Sequence, residues 1–238
     1  MIIFKHLFHI TYVMKRLLIL LSMTLCIGIC HAQPKETVAI LGDSYSTYEG
    51  YLTPSTNEIW YFQPWRDKRT DVNDVKQTWW WQVIDRGGYK LGVNNSYSGS
   101  TICNTGYNDE DYTARSFITR LTNLGSPDII FVFGGTNDSW AGVPLGEYKY
   151  ENIKRADLFT FRPAMAFLLQ GLINHYPGSS IYVIVNDGLS EEVTSSMITI
   201  CDKYHIKHIE LKNIDKIGGH PSIKGMEQIS RQILDFVK

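Results

Sequence analysis

The amino-acid sequence predicts an α/β protein built around a parallel sheet of five strands. Five short apolar runs rich in β-branched residues alternate with longer segments of helical periodicity, which is typical of repeated βαβ units. The chain has 238 residues, of which 44% are hydrophobic and 20% charged, as in an ordinary globular protein. No internal repeat or low-complexity linker interrupts this alternation, so we expect a single domain.

Each predicted strand is short, and the third is apolar on both faces, as a central parallel strand should be. The strands are predicted at Thr37–Leu41, Tyr89–Asn94, Asp128–Phe133, Ser180–Val185 and Ile206–Leu211. Between them, helical patterns cover Gln77–Asp85, Thr113–Leu124, Leu158–Tyr176 and Glu191–Tyr204, and a last helix over Lys224–Val237 closes the domain. The aromatic and polar stretch 48–76 is too long for an ordinary βα connection and is expected to form an elaborated loop over one end of the sheet.

Residues 1–32 have the form of a secretory signal, which leaves 33–238 as the domain. Lys15 and Arg16 precede the apolar stretch Leu17–Ile29, which ends in small residues at Ala32. This stretch is shorter than the ~20 residues of a membrane-spanning helix, so we expect cleavage rather than a membrane anchor. Met14 is the more natural start, and a lipid on Cys30 is a minor option. The expected location is secreted or periplasmic.

The charge and cysteine content exclude several classes of function. Without the leader the chain has 20 Lys and Arg against 24 Asp and Glu, a net charge of -4, so a nucleic-acid partner is not expected. Two cysteines, Cys103 and Cys201, lie beyond the leader without any C-x-x-C spacing, so no zinc site is expected. A disulfide between them is compatible with the compartment but is not implied.

Small, hydrogen-bonding residues follow the first three predicted strands. These segments are Gly42–Ser44, Asn94–Gly99 and Gly134–Asp138. Because the carboxyl ends of parallel strands meet at one edge of a sheet, we expect them to form a ligand site together. Glycine lets a backbone N–H approach a bound group, and an Asn amide can donate to a negative charge, so an oxyanion hole is possible. Locally, Ser44 and Asn137 could equally cap a turn or helix.

One histidine of the domain is expected at that same edge. His175 and His205 precede strands and therefore lie at the opposite edge. His208 lies within the fifth strand and would point away from His205, so a metal pair is not expected. His220 follows the fifth strand, and Pro221 would fix the loop that carries it.

In their order along the chain, these blocks resemble those of the SGNH (GDSL) hydrolases. The matching segments are Gly42–Ser44, Gly99, Gly135–Asp138 and His220–Pro221, and the resemblance spans nearly the whole domain. It implies a flavodoxin-like three-layer α/β/α sandwich and an ester hydrolase that needs no metal or organic cofactor. It also implies site roles: Ser44 as nucleophile, His220 as base, and Gly99 and Asn137 as oxyanion donors with the Ser44 N–H.

The sequence departs from the family pattern at Ile217. The family usually has an Asp three residues before the catalytic His, and here that position holds an isoleucine. Two alternatives stay open: Gly218 and Gly219 could let the loop bend until Asp215 reaches the imidazole, or a backbone carbonyl could orient the ring.

The aromatic residues divide into expected core and expected rim. Consecutive residues on a helix face different directions, so one or two of Trp79, Trp80 and Trp81 are expected in the core. Trp60, Tyr61, Trp65 and Trp140 lie in segments at the candidate site, where they could contact substrate or anchor loops.

These observations predict a secreted serine esterase, acting as an acetylesterase on a carbohydrate or another small acylated substrate. A lipase or thioesterase for longer acyl chains is the alternative within the enzymes. A catalytically decayed carbohydrate-binding domain is the alternative outside them, and the missing Asp at position 217 gives it weight. The oligomeric state is left open by the sequence.

Overall fold

The structure is a computed structural model that describes residues 14–16, 34–62 and 69–237. The chain divides into two compact units, Met1–Pro34 and Lys35–Lys238. Apart from the helical turn 14–16, the predicted signal segment 1–32 lies outside the described residues, as does Trp65. In the described part of the chain, no helix is long and apolar enough to cross a membrane.

Within the described residues of the second unit lies a five-stranded parallel sheet, as predicted. Its strands are β1 (Thr37–Gly42), β2 (Lys90–Asn94), β3 (Ile129–Gly134), β4 (Ser180–Val185) and β5 (Lys207–Glu210), in the order β2-β1-β3-β4-β5. Every neighbouring pair is parallel, and Gly42 lies beside Phe133 while Gly134 lies beside Val185. The carboxyl ends of the three central strands are therefore level with one another.

The helices agree with the predicted periodicity except in two places. They are α1 (Trp79–Gly87), α2 (Phe117–Arg120), α3 (Thr136–Ala141), α4 (Phe161–His175), α5 (Glu191–Lys203) and α6 (Ile223–Val237). The helix predicted over Thr113–Leu124 is reduced to α2, because Thr119 and Ser116 use their hydroxyls to bond the Thr113 carbonyl and the Asn104 side chain. The short helix α3 was not predicted.

Two hydrophobic clusters cover the two faces of the sheet and make the three-layer α/β/α sandwich. Along β3, Ile130 and Val132 point into the cluster that contains α2, α4 and α5 residues. Phe131 and Phe133 point into the opposite cluster, with α1 and α6 residues. This alternation follows from the period of two along a strand. All six residues of β3 are buried, as expected for a central strand.

The tryptophan run at the start of α1 belongs to the core, as expected. Trp79 and Trp80 are buried and Trp81 is partly buried. The Trp79 ring meets Phe131 and Phe133 edge-on, with centroids 6.1 and 5.7 Å away. These contacts anchor α1 against the sheet.

A small antiparallel hairpin follows β5 and carries His220. Its strands are β6 (Lys216–Ile217) and β7 (His220–Pro221), with Ile217 paired to His220. The two residues between them, Gly218 and Gly219, have φ of 56° and 81°. Positive φ at both central residues is the requirement of a tight type I′ turn, which glycine meets without steric cost.

The first turn of α6 packs directly against this hairpin, which makes Gly225 sensitive to substitution. A Cβ on Gly225 would overlap the carbonyl oxygen of Asp215. We predict that Gly225→Ala lowers the free energy of unfolding by about 1–3 kcal/mol, the usual range for overpacking a filled site. Urea unfolding measures this. The matched control Lys224→Ala, an exposed position in the same turn, should leave stability unchanged; equal stability of the two variants would contradict the prediction.

Candidate active site

Ser44 lies in a tight turn directly after β1. A short 3-10 turn covers Ser44–Ser46, and the Asp43 carboxylate caps it by accepting a 3.0 Å hydrogen bond from the Tyr45 N–H. Asp43 therefore stabilises the turn. Ser44 itself is only 3% exposed.

His220 meets Ser44 across 176 residues of sequence. The Nε2 atom of His220 lies 2.9 Å from the Ser44 Oγ, and the ring is only 5% exposed. Two tyrosine hydroxyls hold the segment around it: Tyr45 donates to the Gly219 carbonyl, and Tyr61 donates to the Pro221 carbonyl at 3.0 Å. The hairpin is thus pinned to the turn that bears Ser44.

A backbone carbonyl, not a carboxylate, lies at the other ring nitrogen of His220. The Nδ1 atom is 3.3 Å from the Gly218 oxygen. Asp215 is turned elsewhere, because its carboxylate accepts a hydrogen bond from the Ser222 hydroxyl. Ile217 is the cross-strand partner of His220 and is 42% exposed. Of the two alternatives left open by the sequence, the structure has the second: a backbone carbonyl lies beside the imidazole Nδ1.

Asn137 and Gly99 border the same edge from the next two strands. Asn137 lies in α3, where its Oδ1 accepts from the Tyr107 hydroxyl at 2.9 Å and its Nδ2 donates to the Ser100 carbonyl at 3.0 Å. A carbonyl can only accept, so these contacts fix the orientation of the amide and leave its second N–H available. Asn137 does not cap α3, whose N-cap is Gly135.

The backbone N–H groups of Ser44 and Gly99, both at this edge, have no acceptor among the described residues. Gly99 has a φ of 77°, and a Cβ built on it would meet nothing within 4 Å. The space beside it is therefore open. With the free Asn137 N–H, these are donors of the kind that oxyanion holes contain.

A buried arginine, missed by the sequence analysis, ties these segments together. Arg120 donates to the carbonyls of Asn95 and Gly42, the latter at 3.2 Å, and to the Ser100 hydroxyl at 2.9 Å. Burial lowers the pKa of this guanidinium to about 9, while the nearby Asp43 carboxylate opposes that shift. The only sequence signal was a charged residue inside an apolar helical pattern.

Two carboxyl groups at this edge of the sheet, those of Asp43 and Asp138, are also buried. Burial raises the pKa of Asp43 to about 7 and that of Asp138 to about 6. Asp138 accepts hydrogen bonds from the backbone N–H groups of Ile102, at 3.0 and 2.8 Å, and Cys103, at 3.3 Å. Asp138 therefore fixes the segment that follows Gly99.

His220 is neutral at neutral pH. Burial lowers its pKa to about 4, the Gly218 carbonyl opposes this, and the positive charges of Arg69 and Lys216 add to it. A neutral imidazole offers one nitrogen as an acceptor, as a general base requires.

The aromatic candidates divide into two that touch the His220 ring and one that anchors the fold. The indole of Trp60 stacks on His220, with centroids 3.6 Å apart and planes 7° from parallel. Trp140 meets the ring edge-on at 5.7 Å and is 45% exposed. Tyr61 is fully buried.

The described residues contain no group of three or more His, Cys, Asp or Glu side chains that could hold a metal ion. Cys103 and Cys201 are both buried and carry free thiols, so the disulfide that the sequence left open is not formed. His208 lies 3.8 Å from the carboxylates of Asp202 and Glu210, away from the candidate site.

Residues 36–237 match the family model of the GDSL-like lipase/acylhydrolases. The chain belongs to that family. This GDSL hydrolase is therefore a carboxylic ester hydrolase, which confirms the resemblance drawn from its sequence blocks. Among curated proteins, none is significantly similar to it.

Solved structures include close neighbours of this GDSL hydrolase. A GDSL-like lipase from Bacteroides ovatus is 60% identical, with a TM-score of 0.85 over 86% of this chain and 99% of its own. Its counterpart from Bacteroides uniformis is 54% identical, with a TM-score of 0.85 over 86% and 96%. A carbohydrate acetylesterase from Sinorhizobium meliloti is 17% identical, with a TM-score of 0.57 over 85% and 98%, and shares the fold.

The contacts of Asp215 predict that it is dispensable for ester hydrolysis. Asp215→Asn keeps an acceptor for Ser222 and removes only the charge, so kcat with p-nitrophenyl acetate should stay nearly unchanged. Loss of a carboxylate that orients the imidazole would instead cost about 10⁴ in kcat. Steady-state kinetics, with a melting curve to verify folding, measure the effect, and a loss of that size would show that Asp215 acts on His220.

The low pKa of His220 predicts activity that persists into acid. His220 must be neutral to accept a proton, so kcat/KM should rise as pH rises through its folded pKa and level off above it. We expect the midpoint near pH 4, compared with about 6.5 for an exposed histidine. A pH profile of kcat/KM for p-nitrophenyl acetate reports this group in the free enzyme. A midpoint near 6.5 would contradict the burial argument.

Proposed function

We propose that this protein is an exported esterase that removes small acyl groups, foremost acetyl, from a carbohydrate or another small alcohol by a Ser44–His220 dyad. The observation that carries the proposal is the 2.9 Å contact between His220 Nε2 and Ser44 Oγ. It lies beside backbone N–H groups that have no acceptor among the described residues. A nucleophile with a base in hydrogen-bond reach is the signature of covalent acyl transfer.

In the proposed acylation step, Ser44 Oγ attacks the ester carbonyl while its proton passes to His220 Nε2. The carbonyl oxygen takes the negative charge and accepts hydrogen bonds from the Ser44 and Gly99 N–H groups and the Asn137 amide. The intermediate then collapses: the bond to the alcohol oxygen breaks, and His220 returns the proton to that oxygen. Each oxyanion donor is worth about 10² to 10³ in kcat.

Deacylation repeats these steps with water as the nucleophile. Neutral His220 takes a proton from the water as its oxygen bonds to the acyl carbon. The bond to Ser44 Oγ then breaks, His220 protonates that oxygen, and the free acid leaves. The Gly218 carbonyl holds the Nδ1–H throughout, so that Nε2 faces Ser44.

Two features support a small acyl group on a carbohydrate-like alcohol. The reactive groups are recessed, since Ser44, Asn137 and His220 are 3–5% exposed. Trp140 presents an exposed indole beside His220, a flat apolar surface on which the face of a sugar ring can pack. At the level of the fold, neighbours include carbohydrate esterases and an acetyl xylan esterase from Butyrivibrio proteoclasticus.

Export is supported by the sequence of the leader. Positive charge at Lys15 and Arg16 followed by a short apolar stretch is the pattern of a cleaved secretory signal. N-terminal sequencing of the protein recovered outside the cytoplasm checks cleavage near Ala32, and an intact leader there would contradict it.

The decisive experiment compares the protein with Ser44→Ala. We expect turnover of p-nitrophenyl acetate and labelling by a fluorophosphonate probe, both abolished in Ser44→Ala. The matched control Ser55→Ala, an exposed serine in the loop that follows, should behave as the unmodified protein. Absence of turnover and of labelling at Ser44 in the folded protein would contradict the esterase proposal and favour a decayed carbohydrate-binding domain.

The same assay resolves the acyl specificity. Because the reactive groups are recessed, kcat/KM should fall from acetyl to octanoyl esters. A rise with chain length would instead identify a lipase or thioesterase.

A further inference from the structure

The proton accepted by His220 enters an environment that disfavours positive charge. The ring is 5% exposed, so little water can solvate an imidazolium. Among the described residues, the charges that act on it, those of Arg69 and Lys216, are both positive and lower its pKa. In the part of the chain that the structure describes, the polar side chains and carbonyl that contact it are Ser44, the Tyr45 and Tyr61 rings and the Gly218 carbonyl. None of these carries a negative charge at neutral pH.

One group against the ring does attract a cation: the face of Trp60. The two ring planes are 7° from parallel with centroids 3.6 Å apart, which is full face-to-face overlap. Neutral aromatic pairs prefer offset or edge-on contacts, whereas a cation is drawn to the centre of an indole face. Indole is also the strongest of the natural side chains in this interaction.

The indole is held in place by the same segments that hold the dyad. The backbone N–H of Trp60 donates to the Thr47 hydroxyl at 2.9 Å, and that hydroxyl donates to the Ser44 carbonyl at 3.0 Å. The next residue, Tyr61, bonds the carbonyl of Pro221. Trp60 is thus tied to the chain on both sides of the Ser44–His220 contact.

The side-chain nitrogen of Trp60 does not explain its position. The indole Nε1 is buried and has no hydrogen-bond partner in the described structure. A buried unpaired donor is unfavourable by itself. The ring is therefore oriented by what lies on its faces, His220 at 3.6 Å and the Arg69 guanidinium, whose Cζ is 4.7 Å from the ring centroid.

We infer that Trp60 is a positioning residue that stabilises the imidazolium of His220 through its π face, in the role for which other triads use a carboxylate. The expected effect on kcat rests on the proposed function, because the imidazolium forms when Ser44 loses its proton. Its effect on the protonation of His220 is independent of turnover.

The test replaces Trp60 alone with fluorinated tryptophans of increasing fluorine content, introduced by nonsense suppression. Fluorine withdraws electron density from the ring face but nearly preserves its shape, so folding is retained. Two quantities are measured across the series: the pKa of His220, by NMR titration of labelled imidazole, and kcat and KM for p-nitrophenyl acetate. The same series at Trp80, buried in α1 away from the dyad, is the control.

We expect the pKa of His220 to fall stepwise with fluorination by about one unit in total, and kcat to fall by up to about tenfold with KM unchanged. The Trp80 series should move neither. An unchanged pKa across the Trp60 series would overturn the inference and leave Trp60 as a wall of the site. If the protein turns over no ester, the titration still decides the inference, while the Ser44 experiment decides the proposed function.

Discussion

The candidate active site depends on one buried guanidinium. Arg120 bonds the carbonyl that ends β1, the carbonyl of Asn95 after β2 and the hydroxyl next to Gly99. Without it, the buried carbonyl of Asn95 would lose its donor, the carbonyl of Gly42 would keep only the Tyr97 N–H, and Asp43 would lose a positive charge that acts on it. Burying a charge is costly, but the hydrogen bonds of a planar guanidinium have a strict geometry, and they fix two loops from different strands relative to each other. Arg120 belongs to α2, a helix of only four residues, and through it this helix fixes the turn of Ser44 and the segment of Gly99 relative to each other.

The sequence predicted those structural features that depend on residues close together in the chain. The apolar runs predicted all five strands of the parallel sheet, most directly β3, whose six residues are all buried. The edge position of His220 followed from chain order alone. By contrast, α3 was missed because Thr136–Ala141 is too short and polar to show helical periodicity. Arg120 and Trp60 were underestimated for another reason: their roles lie in contacts with distant segments, which no local pattern encodes.

The hairpin of His220 shows how backbone geometry substitutes for a side chain. The Gly218–Gly219 turn brings a carbonyl to within 3.3 Å of the imidazole Nδ1. A carbonyl dipole fixes the tautomer as a carboxylate would, but it carries no net charge to balance an imidazolium. Ile217 can be exposed because the orienting group lies one residue later, in the main chain. The Gly218 carbonyl therefore orients the ring, whereas stabilisation of a positive charge on the imidazole must come from other groups around it.

The separation between Ser44 and His220 bears on the biosynthesis of the protein. The turn of Ser44 leaves the ribosome before the hairpin of His220, which lies 176 residues later in the chain. The hairpin in turn packs on α6, which ends at Val237. A chain that has not reached this point carries Ser44 without the imidazole that contacts it in the folded protein. Under the proposed mechanism, reaction at Ser44 would therefore report that the domain has been synthesised through this hairpin and has folded.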